Sequence, residues 1–122
     1  MSVANEVFVG IDVSKAELEV CWLPQLERLQ VARDESGLVR LVERLKALGP
    51  SLVVLEASGG YEMPVVMALA GAGLPCVVVN ARQVRDFAKA SGKLAKTDRI
   101  DAQVIAEFAQ AIRPQVRALP DA

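Results

Sequence analysis

Two short runs of apolar, mostly β-branched residues, each followed by one acid, constrain the fold more than any other feature of this chain. The first run, Val7 to Ile11, precedes Asp12, and the second, Leu52 to Leu55, precedes Glu56. Uninterrupted apolar runs of this length are typical of strands that are buried on both faces. Because open α/β sheets bind ligands at the carboxyl ends of their parallel strands, we expect both acids at one functional edge.

Three further segments have strand patterns. Apolar and polar residues alternate over 18–22 and, more weakly, over 29–31, which predicts two half-exposed strands joined by a turn near Pro24. A third apolar run, at 76–79, follows a Gly-Leu-Pro turn. With the two central runs, these segments predict a five-stranded mixed sheet whose first three strands are antiparallel and whose later strands are parallel.

Most of the chain outside these strands has the apolar periodicity of helices. The most secure helix has apolar residues at helical spacing over 38–48, with Ser36 as its N-cap and Gly49 as its stop. A second helix starts near Pro64, and a third comes in two pieces, a basic one over 81–90 and another from Thr97 to about Ile112. The predicted fold class is therefore α/β, with the order β-β-β-α-β-α-β-α.

Length and composition favour a single domain and argue against a membrane protein, a secreted protein or a zinc protein. At 122 residues and 52% hydrophobic, the chain is expected to form one domain with an ordinary core. Its apolar runs are shorter than the ~18 residues of a membrane span, and residues 1–6 do not resemble a signal peptide, so we expect a cytoplasmic protein without membrane partners. Cys21 and Cys76 lie in apolar runs of a chain with no histidine, which favours free buried thiols over a disulfide or a zinc site.

Basic and acidic residues are strongly segregated along the chain, although the formal net charge is only -1. Residues 1–81 carry six basic and ten acidic side chains, whereas residues 82–99 carry six basic and two acidic ones. A basic stretch beside an acidic cluster suits a polyanion that is held by its backbone and cut at a metal. A solvated helix face is the alternative.

Four acids are the candidate metal ligands and catalytic residues: Asp12, Glu56, Asp98 and Asp101. Asp98 and Asp101 are three residues apart, so on a helix they would share a face. That face continues through Ile105, Phe108 and Ile112, which predicts that the helix packs on the sheet while its first turn points toward the other two acids.

Clustered carboxylates repel one another, so such a site implies Mg²⁺ or Mn²⁺ as a cofactor, in a one-metal or two-metal arrangement. Each acid also has a simpler explanation. Asp98 could cap its helix together with Thr97, and Asp12, with Ser14 and Lys15 after it, could belong to a turn. Glu56 is harder to explain in this way, because it directly follows a buried strand.

Candidate nucleic-acid contacts surround these acids. Arg82, Arg85 and Lys89 recur near one helical face and could follow a phosphate backbone. The others are Ser14, Lys15, Tyr61, Lys93 and Lys96. Tyr61 could stack on a base or sugar or simply pack, and the lysines could grip a phosphate or solvate a loop.

Three sequence blocks occur in order along the chain: VGIDVSK at 9–15, EASGGYE at 56–62, and NARQVRDFA at 80–88 followed by KTDRIDA at 96–102. In these blocks the chain resembles the DEDD-type insertion-sequence transposases, relatives of the Piv site-specific DNA invertases. The resemblance implies a RuvC-like ribonuclease H fold and a metal-binding tetrad at Asp12, Glu56, Asp98 and Asp101.

The resemblance further implies DNA strand exchange by a homo-oligomeric recombinase, guided in part of the family by a structured RNA. It also implies a C-terminal domain with a nucleophilic serine, which lies outside these 122 residues. We therefore expect a domain, fragment or shortened relative that binds metal and nucleic acid but does not complete recombination alone.

Three other functions stay open at this stage. One is a stand-alone Mg²⁺-dependent junction nuclease, and another is a non-catalytic module for nucleic-acid binding or assembly. The third takes 10–15 as the phosphate-binding turn of a sugar-kinase-like fold, which fits poorly because such kinases need two lobes and a Gly-rich adenosine segment.

Overall fold

The computed structural model describes residues 6–92 and 100–116. Within them a mixed sheet has the strand order β3-β2-β1-β4-β5. The strands are β1 (Phe8–Val13), β2 (Glu17–Leu23), β3 (Glu27–Ala32), β4 (Leu52–Glu56) and β5 (Cys76–Val79). The helices are α1 (Glu35–Leu48), α2 (Met63–Gly71), α3 (Ala81–Ala90) and α4 (Ala102–Ile112).

The sheet confirms the predicted strand directions. β1 pairs antiparallel with β2 and β2 antiparallel with β3, whereas β1, β4 and β5 run parallel. The first predicted strand, β1, lies at the centre, and its side chains are buried except for half-buried Asp12. The carboxyl ends of β1, β3, β4 and β5 therefore meet at one edge of the sheet, called here the carboxyl edge.

Two apolar layers sandwich this sheet. On one face α1 and α2 cover alternate strand residues that include Ile11, Trp22 and Leu55. On the other face α3 and α4 cover a set that includes Phe8 and Val54. Side chains two apart on a strand share a face, so the parity of each position decides which helix layer it meets.

Helix ends differ from the sequence prediction in two places. The N-cap of α1 is Asp34, whose carboxylate accepts a 2.8 Å hydrogen bond from the N–H of Gly37, and not Ser36. The last helix was predicted to start at Thr97, which lies outside the described residues; within them α4 starts at Ala102, with Asp101 as its N-cap and not as a residue inside the helix. In both cases the side chain of an aspartate accepts a hydrogen bond from one of the otherwise unbonded N–H groups at the helix start.

Burial also differs from the prediction at two points. β2 was expected to be half exposed, and this holds for its first half, where Glu17 and Glu19 are exposed. Cys21 lies on the same face but is buried under α4, as expected for a buried thiol but not for a half-exposed strand. Ile112 was expected on the buried face of the last helix, but it is 52% exposed, whereas Ile105 and Phe108 are buried as predicted. No helix among the described residues has the length and apolarity needed to cross a bilayer.

Candidate metal-binding site

Asp12 and Glu56 occupy equivalent positions on the two central parallel strands. Ile11 is paired with Leu55, so the same register continued by one residue sets Asp12 beside Glu56. Neighbouring strands lie about 4.8 Å apart, which brings the two backbones within reach of a common ligand. Asp12 follows Gly10 by two residues and Glu56 follows Val54 by two, so both carboxylates project to the face that α4 covers.

Gly10 explains why α4 comes so close to these acids. A Cβ at this position would collide with the backbone of α4, at 2.8 Å from the carbonyl carbon of Ile105 and closer still to Ala102 and Ala106. Only a residue without a side chain allows the first turn of α4 to rest directly on β1. At its other end the helix reaches the start of β1, where the guanidinium of Arg113 lies 4.8 Å from the ring centroid of Phe8.

This contact sets the direction of α4 and hence the place of Asp101. The helix runs antiparallel to β1, from the neighbourhood of Gly10 toward that of Phe8. Asp101, its N-cap, therefore lies at the carboxyl-edge end of the helix. Burial is the main reason that the pKa of the Cys21 thiol is raised, and the Asp101 carboxylate adds to the shift, which is consistent with this place because Cys21 pairs with Gly10 across β1 and β2.

The Asp101 carboxylate has a structural role of its own. Its Oδ1 accepts a 3.0 Å hydrogen bond from the N–H of Val104. The sequence pattern had placed Asp101 inside a helix with Asp98 on the same face, and that placement of Asp101 is wrong. Asp98 lies outside the described residues, as do Lys93 and Lys96.

The donor set fits a hard divalent cation. Asp12, Glu56 and Asp101 offer only carboxylate oxygens, which are the ligands that Mg²⁺ and Mn²⁺ prefer, and the chain has no histidine. Among the described residues, no group of three or more acidic, cysteine or histidine side chains is close enough to hold a metal ion. The predicted tetrad includes Asp98, so its full geometry lies beyond these residues.

A buried carboxylate that the sequence pattern did not single out holds the loop after Glu56. Glu62 is only 8% exposed, and its Oε1 accepts hydrogen bonds from the N–H and hydroxyl of Ser58 and from the N–H of Gly60, at 3.0, 3.3 and 3.1 Å. The bond from the Ser58 N–H is the main reason that the pKa of Glu62 lies below its ordinary value, although burial opposes the shift. These bonds fix a loop in which Gly59 and Gly60 both have positive φ.

The predicted nucleic-acid contacts fall into two groups. Arg82 and Lys89 are exposed and Arg85 is half-buried on α3, which follows β5 and therefore also starts at the carboxyl edge. An edge-to-face contact between Phe87 and Phe108, with centroids 5.7 Å apart, connects this basic helix to α4.

The other group lies at the turns that follow β1 and β4. The Ser14 hydroxyl donates to the carbonyl of Glu17 at 2.9 Å and so closes the turn between β1 and β2, while Lys15 is exposed. Tyr61 is 41% exposed, and the guanidinium of Arg33, a residue that the sequence pattern did not single out, lies 4.9 Å from its ring centroid. Tyr61 is thus neither fully packed nor fully free for stacking.

Comparison with solved structures identifies the fold. RuvC of Thermus thermophilus in complex with a Holliday junction substrate superposes with a TM-score of 0.63 at 19% identity, over 88% of this chain and 96% of that one. A second Thermus thermophilus RuvC structure gives a TM-score of 0.55 at 19% identity, over 95% and 84% of the two chains. The fold is therefore RuvC-like, that is, ribonuclease H-like, as predicted.

Sequence comparison identifies the family. No curated protein matches this chain. The family model of IS110-type DEDD transposases, described as a transposase, matches residues 9–122. This span contains all four predicted acids and both loops at the carboxyl edge. With nearly the whole chain matched and the fold independently RuvC-like, the chain belongs to the IS110-type DEDD transposase family.

Proposed function

We propose that this chain is the metal-dependent catalytic domain of a transposase and that it takes part in cleaving phosphodiester bonds of DNA. Asp12, Glu56, Asp98 and Asp101 are the proposed ligands of Mg²⁺ or Mn²⁺. The observation that carries the proposal is the equivalent position of Asp12 and Glu56 on adjacent parallel strands, on the face where α4 begins. Membership of a transposase family supplies the reaction class.

The four carboxylates and the residues that hold α4 have different proposed roles. These carboxylates would hold a divalent cation, whose charge would polarise the scissile phosphate and lower the pKa of the attacking oxygen. Asp12 and Glu56 provide negative charge from a rigid sheet, so their positions change little when substrate arrives. Gly10 and the Val104 cap bond hold the start of α4, and with it Asp101, over the same edge.

DNA is the proposed substrate. RuvC, which shares this fold, was solved with a Holliday junction substrate. In the present chain the exposed cations of α3 face solvent beside the carboxyl edge, where they could bind the backbone on either side of the cleaved phosphate. A structured guide RNA, further copies of the chain and a serine-bearing C-terminal domain are the other proposed partners in complete recombination.

Calorimetric titration of Mn²⁺ or Mg²⁺ into the protein tests the metal assignment. Saturable binding should be seen in the wild type and should be lost or weakened at least about tenfold in Asp12→Asn and Glu56→Gln, because each variant removes one ligand charge. Glu43→Gln is a suitable control, since Glu43 is an exposed acid on α1. Equal binding by the wild type and Asp12→Asn would contradict the proposal.

A second candidate function is a nucleic-acid-binding or assembly module without catalysis. The exposed basic residues of α3 favour it, because they require no metal to bind a polyanion. This candidate predicts salt-sensitive DNA binding that Asp101→Asn leaves intact and that neutralising Arg82, Arg85 and Lys89 abolishes. Metal-dependent cleavage of a branched DNA by the chain would instead favour the junction-nuclease form of the first proposal.

A further inference from the structure

Arg33 is anchored at three points at the end of β3. Its backbone N–H donates to the carbonyl of Ala16 at 2.8 Å, and its Nε donates to the carbonyl of Lys15 at the same distance. Its guanidinium carbon lies 4.9 Å from the ring centroid of Tyr61, within the range of a cation–π contact. The half-buried side chain has therefore already lost much of the rotamer freedom that an exposed arginine loses on binding a ligand.

The anchored guanidinium keeps its terminal donors available. A guanidinium carries five N–H donors, and Nε uses one of them. Within residues 6–92 and 100–116, neither terminal nitrogen of Arg33 donates a hydrogen bond and no carboxylate forms an ion pair with the group. A planar cation held by its Nε, with both terminal nitrogens available, matches the paired oxygens of a phosphate.

The anchors also place this cation between the two loops that leave the candidate metal site. Lys15 belongs to the turn that follows Asp12, and Tyr61 belongs to the loop that follows Glu56. The second loop is held by the buried carboxylate of Glu62. Arg33, which directly follows β3, thus contacts both the turn after β1 and the loop after β4. Its guanidinium therefore lies on the rim of the carboxyl edge.

We propose that Arg33 is a phosphate-binding residue for the DNA backbone and that Tyr61 positions it. The proposal rests on the proposed function, because it takes DNA as the substrate of this edge. It also revises the role of Tyr61: one face of the ring is covered by Arg33, so the ring orients a cation at least as much as it offers a surface for stacking. Arg33 is distinct from the basic residues of α3, which lie beyond the opposite side of β1 in the strand order.

Fluorescence anisotropy with a labelled DNA duplex tests this proposal without any metal. The full 122-residue chain is titrated in EDTA at several salt concentrations between about 50 and 200 mM, and the slope of log affinity against log salt is measured. Arg33→Gln should lower affinity about tenfold and reduce the slope by about 0.9, the value for one lost phosphate contact. Arg40→Gln, an equal charge change at an exposed position on α1, should keep the affinity within about twofold of the wild type and leave the salt slope unchanged.

Two further variants separate binding from folding. Tyr61→Leu removes the ring but keeps the Arg33 charge and its hydrogen bonds, and should lower affinity by several-fold; Tyr61→Phe keeps the ring and should bind like the wild type. If Tyr61 acts through Arg33, the effects of Tyr61→Leu and Arg33→Gln will not add in the double variant. Thermal unfolding of each variant, followed by circular dichroism, verifies that the folded protein is being compared.

The outcomes are distinct. A shallower salt slope in Arg33→Gln with an unchanged slope in Arg40→Gln supports the proposal. Equal losses in the two variants, or no loss in Arg33→Gln, overturns it and leaves the metal assignment untouched. Absence of DNA binding by the wild type overturns both the substrate assignment and this inference, whereas unchanged cation binding in Asp12→Asn contradicts only the metal assignment.

Discussion

The carboxylate of Asp101 accepts a hydrogen bond from the N–H of Val104 at 3.0 Å, so one oxygen of a proposed metal ligand also starts a helix. Structural and chemical roles thus coincide in one side chain. An asparagine can keep the capping bond but not the charge, whereas an alanine loses both. This difference gives a clean separation of the two roles.

The first prediction concerns Asp101. Asp101→Asn should keep the free energy of unfolding within about 0.5 kcal/mol of the wild type but weaken Mn²⁺ binding at least about tenfold, whereas Asp101→Ala should also lose about 1 kcal/mol of stability. Urea unfolding and calorimetric titration measure the two effects.

Asp34 provides the matched control for that experiment. It caps α1 in the equivalent way, because its carboxylate accepts a hydrogen bond from the N–H of Gly37, three residues later. Asp34→Ala should cost about as much stability as Asp101→Ala. Its metal binding should be that of the wild type, and a loss of metal binding in Asp34→Ala would show that the assay reports stability and not ligation.

The second prediction concerns Gly10. Gly10→Ala forces a methyl group against the backbone of α4, which cannot move aside as a side chain can. We expect a loss of about 3 kcal/mol, at the upper end of overpacking effects, or a displaced α4 with weaker metal binding. Gly71→Ala on α2 is the control: its added methyl group meets no atom within 4 Å, so stability should be unchanged or slightly higher. Wild-type stability in Gly10→Ala would mean that α4 does not rest on β1.

The third prediction concerns pH and Glu62. Because hydrogen bonds from the Ser58–Gly60 loop lower its pKa in the folded state, the ionised group adds stability that is complete above its unfolded pKa of about 4.3. That stability is lost as the pH falls through the lower pKa of the folded state. Urea unfolding should therefore show a difference between the wild type and Glu62→Gln at pH 7 that shrinks steadily below about pH 4.3.

Glu62→Ala removes the acceptor altogether and leaves the loop N–H groups without it. We expect a loss of about 1–3 kcal/mol at neutral pH. Since the loop carries Tyr61, the variant should also weaken DNA binding. A pH-independent difference between the wild type and Glu62→Gln would contradict the assignment of a charged Glu62 in the folded protein.

The fourth prediction concerns the two free thiols. Burial raises the pKa of both Cys21 and Cys76; at Cys21, Arg28 opposes this shift while Asp101 and Glu107 add to it. A thiol-reactive disulfide reagent should therefore label neither cysteine in the native protein at neutral pH and both of them in denaturant. Single Cys21→Ala and Cys76→Ala variants assign the signals. Fast labelling of native Cys21 would mean that α4 does not cover β2.

The sequence was sufficient for most elements and for the strand directions, because the elements follow from local periodicity and the directions from the connections between strands. Runs such as Val7 to Ile11 can only be satisfied by burial on both faces, and the structure confirms this. Long-range packing was harder to predict. The apolar run around Cys21 predicts a buried thiol, but nothing near it indicates that a helix some eighty residues later covers this face of β2. The prediction of a half-exposed strand therefore holds only at the end that carries Glu17 and Glu19.

The candidate site shows the same difference between local signals, which the sequence reveals, and long-range contacts, which it does not. Asp12 and Glu56 could be chosen because each terminates an apolar run. Asp101 was recognised as an acid near a helix start but was given the wrong position, since the spacing of apolar residues does not distinguish an N-cap from a position in the first turn. Glu62 and Arg33 gave no local signal, because their roles consist of contacts with loops from other parts of the chain.

The common starting edge of the helices has an electrostatic consequence. Among the described residues, α1, α2 and α3 each follow in the chain a strand that ends at the carboxyl edge, namely β3, β4 and β5, and α4 begins beside Gly10, so all four amino termini lie toward that edge. Aligned peptide dipoles give each amino terminus about half a positive elementary charge. The backbone itself thus places partial positive charge beside the carboxylates of this edge, a contribution that no count of lysines and arginines records and that persists when those side chains are replaced.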